Sequence, residues 1–291
     1  MAGKKKVLVI GGAGFIGSNL CEQLSLDESY EVYSLDNYFT GKKSNHVDGV
    51  IYIEGNSKDV EKLVTFIPDI IYHLGEYSRV EQSFDDISIL WDYNKTGTFA
   101  VLEFTRKTKA KLIYAGSSTK FSQGCLGKTQ SPYAWIKASN SELIQNYGEW
   151  FGISYAIVYF YNVYGNREIS SGKYATLIGL FSQMMKEGKP LTVVSPGIQK
   201  RNFTHVDDIV NGLILVGKNG YGNDFGIGSL ETYSVLEIAK MFGGDIEMLP
   251  QRKGNRVGSD LVISKTQNLG WKVTKRVDEY IEQLRDNNWQ I

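Results

Sequence analysis

The sequence predicts an α/β fold, in which a doubly wound parallel sheet is followed by a second, smaller α/β domain. Short apolar runs alternate with helical patterns over about 160 residues, which is typical of a parallel sheet covered by helices. The first run is followed directly by a glycine-rich turn and a helix. Beyond Gly165 the alternation becomes irregular. We therefore place the larger domain at residues 1–165 and the smaller at 166–291, with segments of the second crossing back to the first.

The strands of the larger domain are predicted from short apolar runs bounded by charged or turn-forming residues. They lie at residues 7–10, 32–35, 50–54, 69–74, 111–115 and 155–161. Helical patterns connect them, and the two longest span residues 87–108 and 133–151. In the smaller domain the same patterns predict helices at 176–187, 206–216, 234–242 and 277–288 and a short strand at 191–194.

A glycine-rich turn between the first strand and the first helix indicates a Rossmann-type dinucleotide site. Gly12, Gly14 and Gly17 have G-x-G-x-x-G spacing, and Gly11 adds an overlapping G-x-x-G-x-x-G. One glycine permits a tight turn, one lets backbone N–H groups approach a pyrophosphate, and one allows close helix packing. The helix N-terminus favours the anion, because its unpaired N–H groups and its dipole point towards the ligand.

Asp36 ends the second strand about 20 residues after the last of these glycines, the spacing of dinucleotide-binding units. A carboxylate at this position accepts hydrogen bonds from the adenosine ribose and repels a 2′-phosphate. This favours NAD over NADP as the cofactor. Lys42 and Lys43 follow closely, however, and their charges leave NADP open.

The composition argues against several kinds of partner. Lys and Arg together number 32, as do Asp and Glu, so no net field attracts nucleic acid or an anionic membrane. No apolar run reaches the length of about 18 residues that a membrane span needs, and the first run is too short for a secretory signal. The two cysteines, Cys21 and Cys125, form no disulfide framework. We therefore expect a soluble cytoplasmic protein.

The three histidines show no metal-site spacing with cysteines or carboxylates, so we predict no metal. His73 ends a buried strand and His205 sits in the segment THVDD, where both are expected to form structural hydrogen bonds. His46 lies in a polar loop and indicates no function.

Tyr133 and Lys137 form a Y-x-x-x-K pattern at the start of the helix predicted at 133–151. Residues at i and i+4 share one helix face, so the ammonium lies near the phenol. The ordinary pKa of a tyrosine phenol is about 10, and a lysine charge beside it favours the phenolate, the form that acts as a base. Ser117 and Ser118 follow the fifth strand. Their hydroxyls are suited to hydrogen-bond a substrate hydroxyl or ketone. The alternative is that they form hydrogen bonds only within their own loop.

Nine segments then occur in the order and spacing of a known enzyme group: GGAGFIGSNL, LDN, YHLGEYSRVEQS, NKTGT, SST, SPYAWIKASNSE, NVYG, RNFTHVDDIV and LGW. They cover nearly the whole chain. With them the sequence resembles the extended short-chain dehydrogenases/reductases, and among these the UDP-galactose 4-epimerase-like nucleotide-sugar epimerases and dehydratases. The resemblance implies a tightly held NAD that takes a hydride from C4 of a nucleotide sugar while Tyr133 removes the hydroxyl proton. It also implies that the 4-keto sugar turns over before the hydride returns.

The resemblance assigns roles to matching positions. It implies a catalytic group of Ser117, Tyr133 and Lys137, and a substrate-binding set of Ser118, Asn162, Arg201 and Arg252. The residues that would contact NAD are Gly11, Gly14, Phe15, Ile16, Gly17, Asp36, Asn37, Asn56, Leu74, Gly75, Tyr77 and Asn94, together with Tyr133 and Lys137. The helices at 87–108 and 133–151 match those that pair into a four-helix bundle in dimers of this family, so a homodimer is expected.

Departures from the family pattern narrow the activity. Where 4,6-dehydratases have an Asp-Glu pair and decarboxylases a Glu, this chain has Ser118 and Thr119, and neither can act as a carboxylic acid. The loop from Ser117 to Tyr133 is shorter than in most members, which leaves the choice of sugar open.

Four single replacements also distinguish the chain from its family. Glu76 stands in place of a usual small residue beside the nicotinamide site, and Tyr159 in place of a frequent Arg. Asn56 and Asn202 each replace a usual Asp. These changes do not identify the substrate.

We therefore predict an NAD-dependent nucleotide-sugar 4-epimerase that acts on a UDP-hexose or UDP-N-acetylhexosamine, with the second domain binding the substrate. A nucleotide 4-keto-sugar reductase, which releases oxidised cofactor after each turnover, is the nearest alternative. The residues at 118 and 119 disfavour a 4,6-dehydratase or decarboxylase. The presence of Tyr133 and Lys137 disfavours a non-catalytic NAD-binding protein.

Overall fold

A computed structural model of the chain describes residues 3–121, 126–250 and 260–290. Its strands, in chain order, are β1 (Lys5–Ile10), β2 (Tyr30–Asp36), β3 (Val50–Glu54), β4 (Ile70–His73), β5 (Lys111–Ala115), β6 (Tyr155–Phe160), β7 (Val163–Tyr164), β8 (Leu191–Val194), β9 (Lys200–Asn202), β10 (Thr204–His205), β11 (Gly222–Ile227), β12 (Thr232–Ser234) and β13 (Ile246–Leu249). Seven of them form one parallel sheet in the order β11-β6-β5-β4-β1-β2-β3.

Helices cover both faces of this sheet. They are α1 (Phe15–Ser25), α2 (Val60–Leu63), α3 (Ile87–Leu90), α4 (Gly97–Thr108), α5 (Pro132–Phe151), α6 (Leu177–Lys186), α7 (Val206–Asn219), α8 (Val235–Phe242), α9 (Ser264–Asn268) and α10 (Val277–Asp286). A π-helical turn, Trp91–Thr96, joins α3 to α4, so the helix predicted at 87–108 is continuous but widened in its middle. Among the described residues, no helix has both the length and the apolar character needed to span a bilayer.

The central strands are buried on both faces, which explains their continuous apolar sequences. In β1, Val7 and Val9 pack with Leu20 of α1 on one side of the sheet. Leu8 and Ile10 lie on the other side, in a cluster with apolar residues of α4. Because side chains alternate along a strand, a single apolar run holds α1 and α4 on opposite faces.

The chain beyond residue 165 contributes to two units. Helix α7 packs against α1, and β11 pairs in parallel with β6 at the edge of the large sheet. Helices α6, α8 and α10 and the β8–β13 pair instead surround a separate core that includes Tyr164, Phe181 and Phe242. The second unit is therefore not one continuous segment, and the boundary at residue 165 stays a prediction.

The parallel α/β architecture and the six predicted strands of the larger domain are confirmed. The sequence pattern does not predict β11, because it begins with the turn-forming residues Gly222, Asn223 and Asp224. Asp224 has a φ of 71°, and the register with β6 shifts between Gly222 and Phe225. An edge strand this irregular lacks the apolar run by which the others are identified.

Candidate active site

A cavity of about 590 Å³ opens at the carboxyl ends of β1, β4 and β5, where ligands bind in open parallel sheets. Its volume is typical of a small-molecule site. The sheet contributes the glycine turn and the loops after β2, β4 and β5 to the wall. The second unit contributes the loop before α6 and part of β9. The cavity therefore lies between the two units, at the carboxyl ends of the parallel strands.

The glycine turn after β1 has no room for side chains. A Cβ atom on Gly17 would lie 2.0 Å from the carbonyl oxygen of Gly11, and one on Gly11 would lie 2.7 Å from Cα of Gly75. Gly11 also has a φ of 88°, in the left-handed region that favours glycine. Gly14 precedes α1, and no side chain caps this helix. The backbone can therefore approach a diphosphate closely, and the turn fits the one in NAD.

Asp36 lies at the end of β2, buried beside this turn. Its Oδ2 accepts a hydrogen bond from the N–H of Ala13 (2.9 Å), and its Oδ1 accepts one from the N–H of Tyr38 (2.8 Å). Burial raises the pKa of Asp36, and these backbone donors oppose the shift. Asn37 follows, and its Nδ2 donates to Oδ1 of Asn56 (2.7 Å). The backbone thus orients the carboxylate that is predicted to bind the adenosine ribose.

Tyr133 and Lys137 lie one turn apart on α5, and both line the cavity. The helix begins at this point because Ser131 accepts a hydrogen bond from the N–H of Ala134 (3.1 Å) and Pro132 occupies the first turn. Tyr133 is 8% exposed and Lys137 is 4% exposed. The predicted pair is therefore present, shielded from water and on the cavity wall.

The ammonium of Lys137 binds the carboxylate of Glu76 and the carbonyl oxygen of Ala115. The side chains of this ion pair are 5% and 3% exposed. Oε1 of Glu76 also accepts hydrogen bonds from the hydroxyls of Thr98 (2.8 Å) and Tyr114 (3.1 Å). A buried ion pair is tolerated only when further hydrogen bonds of this kind satisfy it. The sequence marks Glu76 as unusual but does not predict that it pairs with Lys137.

Ser117 follows β5 on the cavity wall, with Ser118 next to it. Its Oγ accepts hydrogen bonds from the hydroxyl (2.9 Å) and the N–H (3.3 Å) of Thr119. Because both acceptor sites of the serine are then used, its own proton is directed to another oxygen. Thr119 cannot supply an acid, but it orients Ser117.

Three predicted cofactor residues lie one layer behind the wall, which differs from the direct contact that the resemblance implies for them. Asn94, in the π-helical turn, accepts from the N–H of Tyr77 (2.7 Å) and donates to its carbonyl oxygen (2.8 Å). The hydroxyl of Tyr77 donates to Asp86 (2.8 Å). Asn56 contacts the wall through Asn37. These side chains therefore support the cavity from behind.

All other predicted site residues that the structure describes line the cavity: Gly11, Gly14, Phe15, Ile16, Gly17, Asp36, Asn37, Leu74, Gly75, Ser117, Ser118, Tyr133, Lys137, Asn162 and Arg201. Arg252 lies outside the described residues. Asn162 has a φ of 34°, and its Nδ2 donates to the carbonyl oxygen of Asn202 (3.2 Å), which ties the loop after β6 to β9. Their individual roles towards cofactor and substrate stay predictions.

The remaining departures from the family pattern lie away from the wall. Tyr159 is fully buried, donates to Oδ1 of Asn223 (2.7 Å) and accepts from Lys120 (3.3 Å). Asn202 is buried too, and its Nδ2 donates to the carbonyl oxygen of Ser229 (2.8 Å). Both replacements are therefore satisfied inside the protein.

Two charged residues of the wall, Arg79 and Glu168, are not predicted from the sequence. Glu168 accepts a hydrogen bond from the N–H of Gly165 through Oε2 (3.3 Å), while its Oε1 has no hydrogen-bond partner among the described residues. Burial raises the pKa of Glu168 to about 7, so this carboxyl is partly protonated at neutral pH. Both residues come from polar loops, where no periodic pattern identifies a site.

The histidines form structural hydrogen bonds. Nε2 of His73 lies 3.1 Å from Oγ1 of Thr98, and burial lowers the pKa of His73 to about 4, so it stays neutral. Nδ1 of His205 accepts from the N–H of Asp207 (3.2 Å) at the start of α7. In the part of the chain that the structure describes, no group of three or more His, Cys, Asp or Glu side chains could hold a metal ion.

Proteins of similar sequence and structure act on nucleotide sugars. The chain is 30% identical to the UDP-N-acetyl-alpha-D-glucosaminuronate decarboxylase of Bacillus cytotoxicus, over 81% of this chain and 79% of that protein. The UDP-glucose 4-epimerase of Thermus thermophilus, solved with NAD, has a TM-score of 0.87 at 26% identity and covers 97% of this chain and 98% of its own. The UDP-glucuronic acid 4-epimerase of Bacillus cereus, solved with UDP-glucuronic acid and NAD, has a TM-score of 0.84 at 27% identity, with coverages of 97% and 98%.

A family match extends over most of the chain. Residues 7–228 match the NAD dependent epimerase/dehydratase family, and this range includes the glycine turn, the Tyr133–Lys137 pair and the loop before α6. Epimerases and a decarboxylase both occur among the similar proteins, so the match defines the cofactor but not the reaction. The chain belongs to the NAD dependent epimerase/dehydratase family, and its cofactor is NAD.

Proposed function

We propose that the protein is a nucleotide-sugar 4-epimerase that acts on a UDP-hexose or UDP-N-acetylhexosamine. One observation carries the proposal. Tyr133, Lys137 and Ser117 line one cavity, and the two positions after Ser117 have hydroxyls instead of carboxylic acids. Oxidation at C4 needs a base for the hydroxyl proton, whereas elimination of water also needs a positioned acid.

The residues of the chain manage the proton at the C4 oxygen. Tyr133 takes the proton from the C4 hydroxyl as the general base, with Lys137 one helical turn away on the same wall of the cavity. The hydroxyl of Ser117, oriented by Thr119, donates a hydrogen bond to the same oxygen as it becomes a ketone. Bound NAD supplies the acceptor and donor of the C4 hydride. Tyr133 returns the proton to the C4 oxygen after the ring of the 4-keto sugar has turned over in the cavity.

The glycine turn and Asp36 support retention of NAD through this cycle. The backbone of the turn can come close to the diphosphate of NAD, because its glycines have no side chains. Two backbone N–H donors already orient the carboxylate of Asp36. An epimerase returns its hydride to the same sugar, so its cofactor need not leave. A 4-keto-sugar reductase must release oxidised cofactor after each turnover. Retention of NAD through turnover therefore distinguishes an epimerase from this alternative.

The test is proton NMR of the purified protein with UDP-glucose, UDP-N-acetylglucosamine and UDP-glucuronate, each without added cofactor. We expect a new anomeric signal that approaches a fixed ratio with its C4 epimer for at least one sugar. A signal that forms only when NADH is added to a 4-keto sugar would instead favour the reductase. No conversion of any of the three sugars would contradict the proposal.

We also propose that the protein is a homodimer through the face formed by α3, α4 and α5. Trp91 and Trp135 are about half exposed there, and their rings stack with centroids 6.3 Å apart. Ile87, Phe99 and Trp150 on the same helices are more than half exposed. Large exposed apolar side chains concentrated on neighbouring helices mark an interaction surface.

Replacing Trp135 with glutamate is expected to convert the dimer to the 32.7 kDa monomer, because a charge buried in an apolar interface is unfavourable. The measurement is the mass by light scattering after gel filtration. Leu230→Glu is the matched control, since Leu230 is exposed elsewhere and its variant should remain dimeric. A monomeric wild-type protein at micromolar concentration would contradict the proposal.

A further inference from the structure

Arg79 places a guanidinium on the cavity wall, in the loop after β4. Its Nε and Nη2 donate to the carbonyl oxygen of Tyr174, and its Nη1 donates to the carbonyl and hydroxyl oxygens of Ser78. Burial lowers the pKa of Arg79, and interactions with the phenols of Tyr133 and Tyr77 oppose that shift. The guanidinium nevertheless stays charged at neutral pH. Arg79 is therefore a cation close to the predicted catalytic base.

The charge of Arg79 lacks a counter-ion in the described ranges. All its hydrogen bonds go to neutral oxygens, and no carboxylate of the described residues lies within ion-pair distance. Glu168 interacts with it electrostatically. However, burial raises the pKa of Glu168 to about 7, so that carboxyl balances the cation only in part. A partly buried cation of this kind gains free energy when an anion binds beside it.

The other charges of the described cavity wall are accounted for. Lys137 is paired with Glu76, and Asp36 accepts two backbone hydrogen bonds at the adenosine end. Arg201 is predicted to bind the diphosphate of the substrate. The guanidinium of Arg79 is then the positive charge that remains at the Tyr133 end of the cavity.

We infer that Arg79 selects a nucleotide sugar whose hexose carries a carboxylate, that is, a nucleotide hexuronate. The inference rests on the proposed 4-epimerase activity, but it replaces the neutral sugar of that proposal with a hexuronate. A sugar whose C4 hydroxyl meets Tyr133 lies at the end of the cavity that Arg79 lines. The five N–H groups of Arg79 make four hydrogen bonds within the described structure, which leaves one on Nη2 for a ligand oxygen. A hydrogen bond between a guanidinium and a carboxylate is about twice as strong as a neutral one.

The test compares two ligands that differ only at C6, UDP-glucuronate and UDP-glucose, by calorimetric titration of the NAD-loaded protein. The Tyr133→Phe background is used so that neither ligand is converted. We expect UDP-glucuronate to bind on the order of 10- to 100-fold more tightly than UDP-glucose. Arg79→Gln should remove this preference and leave the affinity for UDP unchanged. Arg79→Lys, which keeps the charge but not the planar fork, should retain part of the preference.

Arg106→Gln serves as the control for loss of an arginine. Arg106 pairs with Glu103 on the outer part of α4, and its variant should keep the full preference for the uronate. If Arg79→Gln weakens UDP, UDP-glucose and UDP-glucuronate equally, Arg79 only holds the Tyr174 loop, and the inference is wrong. Equal affinity of the parent protein for both sugars would also overturn it. Epimerisation of UDP-glucose without any preference for the uronate would refute the inference but leave the proposed function intact.

Discussion

Tyr133→Phe is expected to lower kcat by about 10³- to 10⁴-fold while NAD stays bound. The change removes only the phenolic hydroxyl, which is the group that takes the proton from the C4 oxygen. The aromatic ring keeps its place in the cluster with Tyr77, Leu90 and Ile136, so the fold should be unaffected. The measurements are the initial rate of epimer formation by NMR and the NAD content of the denatured protein.

Tyr147→Phe is the matched control for this substitution. Tyr147 lies on the same helix, but its hydroxyl donates to Glu103 (2.9 Å) away from the cavity. Its loss should cost about 1 kcal/mol of stability and leave kcat unchanged. If Tyr133→Phe instead keeps near-normal activity, the phenol is not the base, and the proposed mechanism fails even if the sugar is epimerised.

The sequence could predict this part of the site because its geometry is local. Tyr133 and Lys137 are four positions apart on one helix, and Ser131 with Pro132 defines where that helix begins. The glycine turn is also contained in one short segment, and a Cβ atom on Gly17 would contact the carbonyl oxygen of Gly11 within that segment. Spacing along the chain is sufficient evidence when the partners are neighbours.

Contacts between distant segments could not be predicted in the same way. Glu76 and Lys137 are 61 positions apart, and they meet because β4 and β5 are adjacent in the sheet and α5 packs over them. Arg79 and Tyr174 are 95 positions apart and belong to different units. Sequence patterns give the period of an element, but not which polar side chains of two loops face each other. The charges that distinguish this cavity are therefore visible only in the structure.

Glu76→Gln is expected to lower the free energy of unfolding by about 3–5 kcal/mol, as for other buried ion pairs that lose one partner. The amide oxygen of glutamine can still accept from Thr98 and Tyr114, so those hydrogen bonds survive. The amide nitrogen, however, would face the ammonium of Lys137, and two donors cannot satisfy each other. Lys137 would then be buried with only the carbonyl oxygen of Ala115 as a hydrogen-bond acceptor. Urea unfolding of the NAD-free protein measures the loss.

A double-mutant cycle with Lys137→Met separates the ion pair from the rest of the network. Once Lys137 is replaced, the glutamine at position 76 no longer faces a charge. The loss in the free energy of unfolding of the double variant should therefore be smaller than the sum of the two single losses, by at least about 2 kcal/mol. The exposed pair Lys58–Asp92, at 2.8 Å, is the control and should show a coupling below about 1 kcal/mol. Additive losses at positions 76 and 137 would mean that Glu76 stabilises the loop after β4 without acting on Lys137. If the double variant is more stable than the sum of the single losses implies but has no activity, Glu76 acts by holding Lys137 in place, and Lys137 itself serves the reaction.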